Sequence, residues 1–118
     1  MSVIDTSQLI LIERFLDLTT VRQSLLVSNI ANVDTPGYRT QDINFHGELV
    51  RALSQQSGDA VLPMTRSVPG LLSRPDGNNV SVDRESLLLA EMQLKYQAAV
   101  QAMKMELSYV RYAIHEGA

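Results

Sequence analysis

Cysteine and tryptophan are absent from this chain, and aromatic residues are scarce: two phenylalanines (Phe15 and Phe45) and four tyrosines in 118 residues. Without cysteine there is no disulfide scaffold and no thiolate metal site. With so few aromatic rings, a compact core lacks its usual large contributors to buried area. Leu, Ile, Val, Met and Ala must supply it, and these suit helix–helix seams. Charge of one sign is also lacking. Ten basic residues lie scattered against thirteen acidic ones, for a net charge of −3, so there is no basic footprint for nucleic acid. No apolar run approaches the roughly 20 residues of a membrane span. The opening MSVIDTSQLILIERF has no basic n-region, carries Asp5 early, and breaks its Leu9–Ile12 run with Glu13 and Arg14. A cleavable secretory signal is therefore not expected there, and export would need another route.

What is present is helical periodicity at both ends of a chain whose length fits one domain, 1–118. From Ser7 to about Asn32, within a first region 7–34, Leu9, Ile12, Leu16, Leu26, Ile30 and Val33 fall along one seam. Leu11, Phe15, Leu18 and Leu25 fall on the next, and Glu13, Asp17, Thr20, Ser24 and Ser28 lie opposite. Thr19, Arg22 and Gln23 interrupt the seam, and Thr6 or Ser7 is a candidate cap. The pattern stops abruptly in SNIANVDTPGY. Pro36 disfavours a helical Thr35 and brings no N–H, and Thr35-Pro36-Gly37-Tyr38 suits a type II turn with Gly37 at positive φ. Asn32 and Asp34 offer side chains to the last unpaired backbone groups.

The middle, 35–82, is expected to be turn and irregular chain with little core of its own. A short helix is predicted around Asn44 to Leu53, with Phe45, Leu49 and Leu53 on one face. RPDGN is a turn signal, and its flanks VLPMT and VSV are candidate strands of a hairpin. The last region, 83–116, carries the strongest pattern. Leu89, Met92, Tyr96, Ala99, Met103, Leu107, Val110 and Ile114 recur at spacings of three and four, after Asp83 as a candidate N-cap and Glu85 in the first turn. At 1.5 Å per residue such a helix spans roughly 45–50 Å.

The fold class expected is thus mainly α: long N- and C-terminal helices pairing as a coiled coil about a loop-rich middle that holds a small helix or hairpin. Two helices form a thin ribbon with apolar surface left over. The pattern accommodates self-assembly, in which neighbours supply the missing core, and equally a monomeric bundle completed by the Phe45 segment.

One stretch bears on that choice. SNIANVDTPGYRTQDINF, carrying Asn29, Ile30, Ala31, Asn32, Thr35, Pro36, Gly37 and Tyr38, resembles the N-terminal signature of the bacterial flagellar axial proteins that build rod and hook. Its continuation Arg39–Phe45 is most similar to the short proximal-rod members. Gly77-Asn78-Asn79-Val80, then Val82-Asp83-Arg84-Glu85 and a long helix with Tyr96-Gln97, is similar to their C-terminal block. Between about Leu53 and Asp76 no family motif is found. The resemblance implies a structural, non-enzymatic subunit of the periplasmic rod, exported unfolded through the flagellar type III apparatus. It implies terminal helices that order on assembly. The partners it implies are copies of itself, other proximal and distal rod proteins, the rod adaptor at the MS-ring and export-gate base, and the export gate itself. It implies no cofactor, nucleic acid or small-molecule substrate. Early export substrates of this kind carry a Phe-x-x-x-apolar docking motif, and Phe45 to Leu49 has that form. An apolar patch nearer the N-terminus would be Val3-Ile4 or Leu9–Ile12. The same Phe45 and Leu49 also fit a small helix face packed on the rest of the subunit.

Asn29 and Asn32 are expected either to bond a neighbour's backbone and set register or to cap their own helix. Asp42 and His46, four apart, would share a helix face as metal ligands, but no third ligand is near. There is no phosphate-binding loop and no nucleophile elbow. Tyr96, Tyr109 and Tyr112 read as packing residues, and Met92, Met103 and Met105 as adaptable fillers. The alternative function is a small cytosolic helical adaptor or export chaperone that binds partner helices.

Overall fold

A computed structural model describes residues 6–55 and 62–116. Three helices and one small sheet follow in the order α1 (Ser7–Ala31), β1 (Gln41–Ile43), α2 (Phe45–Ser54), β2 (Thr65–Ser67) and α3 (Val82–Glu116). The molecule measures 67 × 26 × 18 Å with a radius of gyration of 18.4 Å, well above the roughly 13.5 Å of a compact chain of this length. α3 supplies most of the long dimension: 35 residues reach roughly 52 Å.

α1 and α3 run antiparallel. Asn29 near the end of α1 bonds Glu85 at the start of α3, while Leu11 and Ile12 share a groove with Ala98 and Ala99. Counting on from that register, Ser7 stands opposite about Met103, so residues 104–116 project past the start of α1. Leu26 and Met92, both wholly inaccessible, are the centre of the seam, with Ala99 farther along it, while Leu18 is buried on the side of α1 that faces Ala52, Leu62 and Pro63. Of the other residues expected to pack, Leu9, Ile12, Leu16, Ile30, Leu89, Met103 and Val110 are half-buried. Tyr96, Leu107 and Ile114 are exposed in the single chain. The interruptions in the α1 seam carry polar contacts. Thr19 is fully buried, with its hydroxyl donating to Leu16 O of its own helix at 2.7 Å, and Arg22 reaches out to Asp42.

Helix ends differ in detail from expectation. α1 stops at Ala31, three residues inside the 7–34 region, because Asn32 takes the C-cap position. Its Nδ2 donates to Ser28 O and its Oδ1 accepts from the Thr35 hydroxyl. Asp34 stays exposed. Thr6 occupies the N-cap without a side-chain capping bond. α3 begins at Val82, one residue early, because Ser81 rather than Asp83 caps it: Ser81 Oγ accepts from Arg84 N.

The middle is more ordered than a loop. α2 matches the predicted short helix, with Asn44 Oδ1 accepting from Gly47 N. The sheet is not the expected hairpin about RPDGN. β2 overlaps VLPMT only at Thr65, and VSV forms no strand because Val82 already belongs to α3. β2 pairs instead with the unanticipated β1, antiparallel, in the register Gln41↔Ser67, Asp42↔Arg66 and Ile43↔Thr65. Val3 and Ile4, named above as a possible apolar patch, and Val61 lie outside the described residues.

Candidate functional site

The polar residues of SNIANVDTPGY and of RPDGNNV meet where α1 ends and α3 begins. Thr35-Pro36-Gly37-Tyr38 turns with a Tyr38 N to Thr35 O bond of 3.2 Å and Gly37 at φ 75°. Arg74 to Asn78 turns with Gly77 N on Arg74 O at 2.9 Å and Gly77 at φ 88°. The two turns lie back to back. Gly37 N donates to Asp76 O at 2.9 Å, and a Cβ on Gly77 would stand 3.4 Å from Gly37 Cα. Glycine thus supplies the left-handed backbone at both places and, at Gly77, also leaves room for the approach of the other turn.

Three buried asparagines lock this junction. Asn29 is wholly inaccessible and uses its entire amide. Nδ2 donates to Gln41 O (2.8 Å) and Glu85 Oε2 (3.0 Å), and Oδ1 accepts from the Tyr38 hydroxyl (2.9 Å) and Gln41 N (3.1 Å). One side chain therefore joins α1, the turn, β1 and α3. Asn78, equally buried, donates from Nδ2 to Asn32 O (2.9 Å) and Thr35 O (2.8 Å) and accepts at Oδ1 from Val80 N and Arg74. Asn79 Oδ1 accepts from the N–H and hydroxyl of Thr40, while its Nδ2 is buried and unpaired, a local cost. Arg74 caps the assembly, donating to Val33 O, Val80 O and Asn78 Oδ1.

A second polar layer continues from Asn29 through charges. Glu85, fully buried, accepts from Arg84 as well as Asn29. Arg84 also donates to Asp42 Oδ2 at 3.2 Å, and Arg22 clasps Asp42 with a two-pronged fork, Nε to Oδ1 and Nη2 to Oδ2, both 3.0 Å. The Ile43 N–H adds a bond of 2.8 Å to Oδ1. Burial pushes the Asp42 carboxyl up, but the Arg22 fork, the Ile43 N–H and Arg84 together outweigh it and hold Asp42 below its ordinary value. Asp42 and His46 share no helix face. Asp42 lies in β1 and His46 in the first turn of α2, and the carboxylate is committed to arginines.

Phe45 and Leu49 sit at the other end of the signature. The Phe45 ring meets Phe15 edge to face, centroids 5.2 Å apart, with Lys95 Nζ 5.5 Å above it. Leu49 lines a groove with Leu11, Ile12, Phe15 and Ala99. Within the folded subunit both residues dock α2 on the helix pair.

The structure thus brings Asn29, Asn32, Thr35, Gly37 and Tyr38 into one junction, leaves Pro36 and Ala31 exposed, and half-buries Ile30. Asn29 forms neither expected set of bonds: its amide is used up inside the chain, so it neither caps its own helix end nor has capacity left for a neighbour. Asn32 caps its own helix. Sequence reasoning did not anticipate Arg22, Asp42, Asn78, Asn79 and Glu85 as a network. The available signal was polar residues interrupting apolar patterns, at Arg22 in α1 and in the NNV run.

No protein-family model matches the chain. Curated relatives do, and all three cited here carry the name flagellar basal body rod protein FlgB. That of Salmonella typhimurium is 33% identical over 122 residues, covering 86% of this chain and 88% of its own length. That of Buchnera aphidicola is 31% identical, covering 86% and 90%, and that of Bacillus subtilis 28%, covering 90% and 92%. With alignments that cover 86–90% of this chain and 88–92% of the relatives, the chain belongs to the FlgB family of flagellar basal body rod proteins.

Proposed function

We propose that this structural subunit of the flagellar basal body rod is a rigid polar junction carrying two long helices whose outer faces are completed by neighbours in the periplasmic, proximal part of the rod. Its role is mechanical and involves no catalysis. The neighbours are copies of itself, other proximal and distal rod proteins, and the rod adaptor at the MS-ring. The chain reaches them unfolded through the flagellar type III export gate, with Phe45 and Leu49 as the docking residues while the chain is extended.

One observation carries the assembly reading. α3 keeps large apolar side chains exposed along its whole length: Leu87 at 70%, Leu94 at 69% and Tyr112 at 68%, with Met105, Tyr109 and Ile114 beyond the start of α1. Exposed apolar area on this scale marks interaction surface. A helix stretch without a packed face is marginal in water, and fixing each residue costs about 1–2 kcal/mol of backbone entropy, which burial at about 25 cal/mol per Å² can offset only once a partner is present. Among the described residues no helix is long and apolar enough to cross a membrane.

Circular dichroism combined with sedimentation tests this. The dilute chain should show less helicity than its structure contains and gain it on association with itself or with other rod subunits. Full helicity, a cooperative melt at low concentration and no association would favour a free-standing adaptor and overturn the reading.

A further inference from the structure

Asp42 and Arg66 face one another across the sheet, and directly opposed residues of an antiparallel pair project to the same face. Yet they form no ion pair, and the reason is capacity. A carboxylate offers about four acceptor positions, and those of Asp42 are taken by Arg22 Nε, Arg22 Nη2, Arg84 Nη2 and Ile43 N. The Arg66 side chain is left exposed, with no hydrogen bond or ion pair among the described residues. It stands at a cavity of about 260 Å³ that Arg22, Arg84, Asp42 and Asn44 also line. Three guanidinium groups and one carboxylate give this cavity a formal charge of +2. Counting Glu85, buried behind Arg84, reduces it to +1. The excess stands out in a chain whose net charge is −3.

We propose that this cavity receives a carboxylate side chain from a neighbouring copy of the chain, with Arg66 as the residue that closes on it. The chain offers a donor of matching chemistry. Glu13 and Asp17 are exposed on the polar stripe of α1, four residues apart and without an ion-pair partner among the described residues. Like charges at that spacing repel across one helical turn, and a cationic partner relieves both. Arg66 suits a bidentate grip because its guanidinium fork is free and planar, and the walls supplied by Arg22 and Arg84 are already fixed by Asp42. The contact adds a specific, orienting charge pair to an association otherwise driven by apolar helix faces. The inference rests on the assembly reading above.

The test uses the full chain and charge reversal. Arg66→Gln should leave the helicity and melting of the dilute chain unchanged, because the Arg66 side chain makes no bond there, while weakening self-association. Arg66→Glu, whose carboxylate would also face Asp42 across the sheet, should weaken self-association further, by about tenfold or more at 0.1 M salt. Glu13→Arg with Asp17→Arg should weaken it similarly, and combining all three substitutions should restore much of the loss. Undiminished association of Arg66→Glu overturns this inference and leaves the assembly reading standing. Failure of the unsubstituted chain to associate with itself overturns this inference alone, and failure to associate with other rod subunits as well overturns the assembly reading. Inorganic sulfate, titrated as a probe, distinguishes the remaining outcome. If sulfate raises the melting temperature of the parent but not of Arg66→Glu, while association ignores Arg66, the cavity is a small-anion site and the neighbour's carboxylate is refuted.

Discussion

Replacing Asn29 by aspartate changes one NH2 into one oxygen and leaves shape untouched, so it isolates the hydrogen-bond logic of the junction. Asn29 Nδ2 donates to Gln41 O and Glu85 Oε2. In Asn29→Asp both acceptors lose their donor, and a second carboxylate stands about where the amide met Glu85, a carboxylate already sealed from solvent. Each unsatisfied buried group costs about 1–3 kcal/mol, and disrupting a buried charged arrangement costs about 3–5 kcal/mol. We expect a net loss of about 3–5 kcal/mol at pH 7, or about 10–20 °C in melting temperature for a chain of this size. The sign with pH follows from the like charge. It raises the folded-state pKa of the introduced carboxyl above its unfolded value of about 3.9. The penalty is therefore smallest below that value, where the protonated acid again donates, and grows as pH rises through the raised folded pKa. Asn29→Ala, which removes bonds but adds no charge, should lose about 2–4 kcal/mol with little added pH dependence. Thermal melts by circular dichroism between pH 4 and 8 read both. An Asn29→Asp chain that melts within 2 °C of the parent at pH 7, or whose deficit ignores pH, refutes the four-bond account of Asn29.

Asp42 makes the opposite prediction. Its folded pKa is lowered, so its stabilising contribution is present above the unfolded value near 3.8 and is lost as pH falls through the lower folded value; Asp42→Asn should flatten that acid limb of the stability profile in urea titrations. Asn78→Ala removes two bonds to the end of α1 and should lower the urea midpoint by the equivalent of about 2–4 kcal/mol; an unchanged midpoint would mean the turns hold together without it. At Gly37 there is open space for a Cβ but a φ of 75°, so Gly37→Val costs backbone strain rather than a clash. It should damage rod formation more than secretion, and equal loss of both in a motility-and-export assay would count against the turn's role in assembly. Phe45→Ala and Leu49→Ala should lower secretion itself. Phe15→Ala, which removes the same ring contact without touching the motif, serves as the control, and secretion reduced equally by Phe15→Ala would assign the effect to folding.

The helices were legible in the sequence because each carries a long apolar period, and Pro36 and Gly37 mark a stop whose chemistry is local. The short helix that begins at Phe45 was legible from Phe45, Leu49 and Leu53 on one face. The pairing of β1 with β2 was not. Gln41–Ile43 and Thr65–Ser67 are three residues each, too short for a period of two to register, and their register depends on α2 folding between them. The junction was hidden for a different reason. Asn29, Asn78, Asn79 and Glu85 are polar residues that sequence patterning assigns to surface, caps or turns, and their burial arises only when residues 39 to 56 positions apart meet. Only the tertiary arrangement shows that the two quoted motifs are halves of one object. The exposed apolar residues of α3 could be read only as surplus, since a period of 3.6 does not say which face a partner covers.

The central prediction is a junction that holds itself together and helices whose outer reaches do not. Amide hydrogen exchange read by mass spectrometry, on the dilute chain and again after assembly with rod subunits, tests that division most directly. Slow exchange in the dilute chain is predicted around residues 26–43 and 78–92, with fast exchange in α3 beyond Met103 that slows sharply on assembly. Uniformly slow exchange along all of α3 in the dilute monomer, unchanged by assembly, would contradict it.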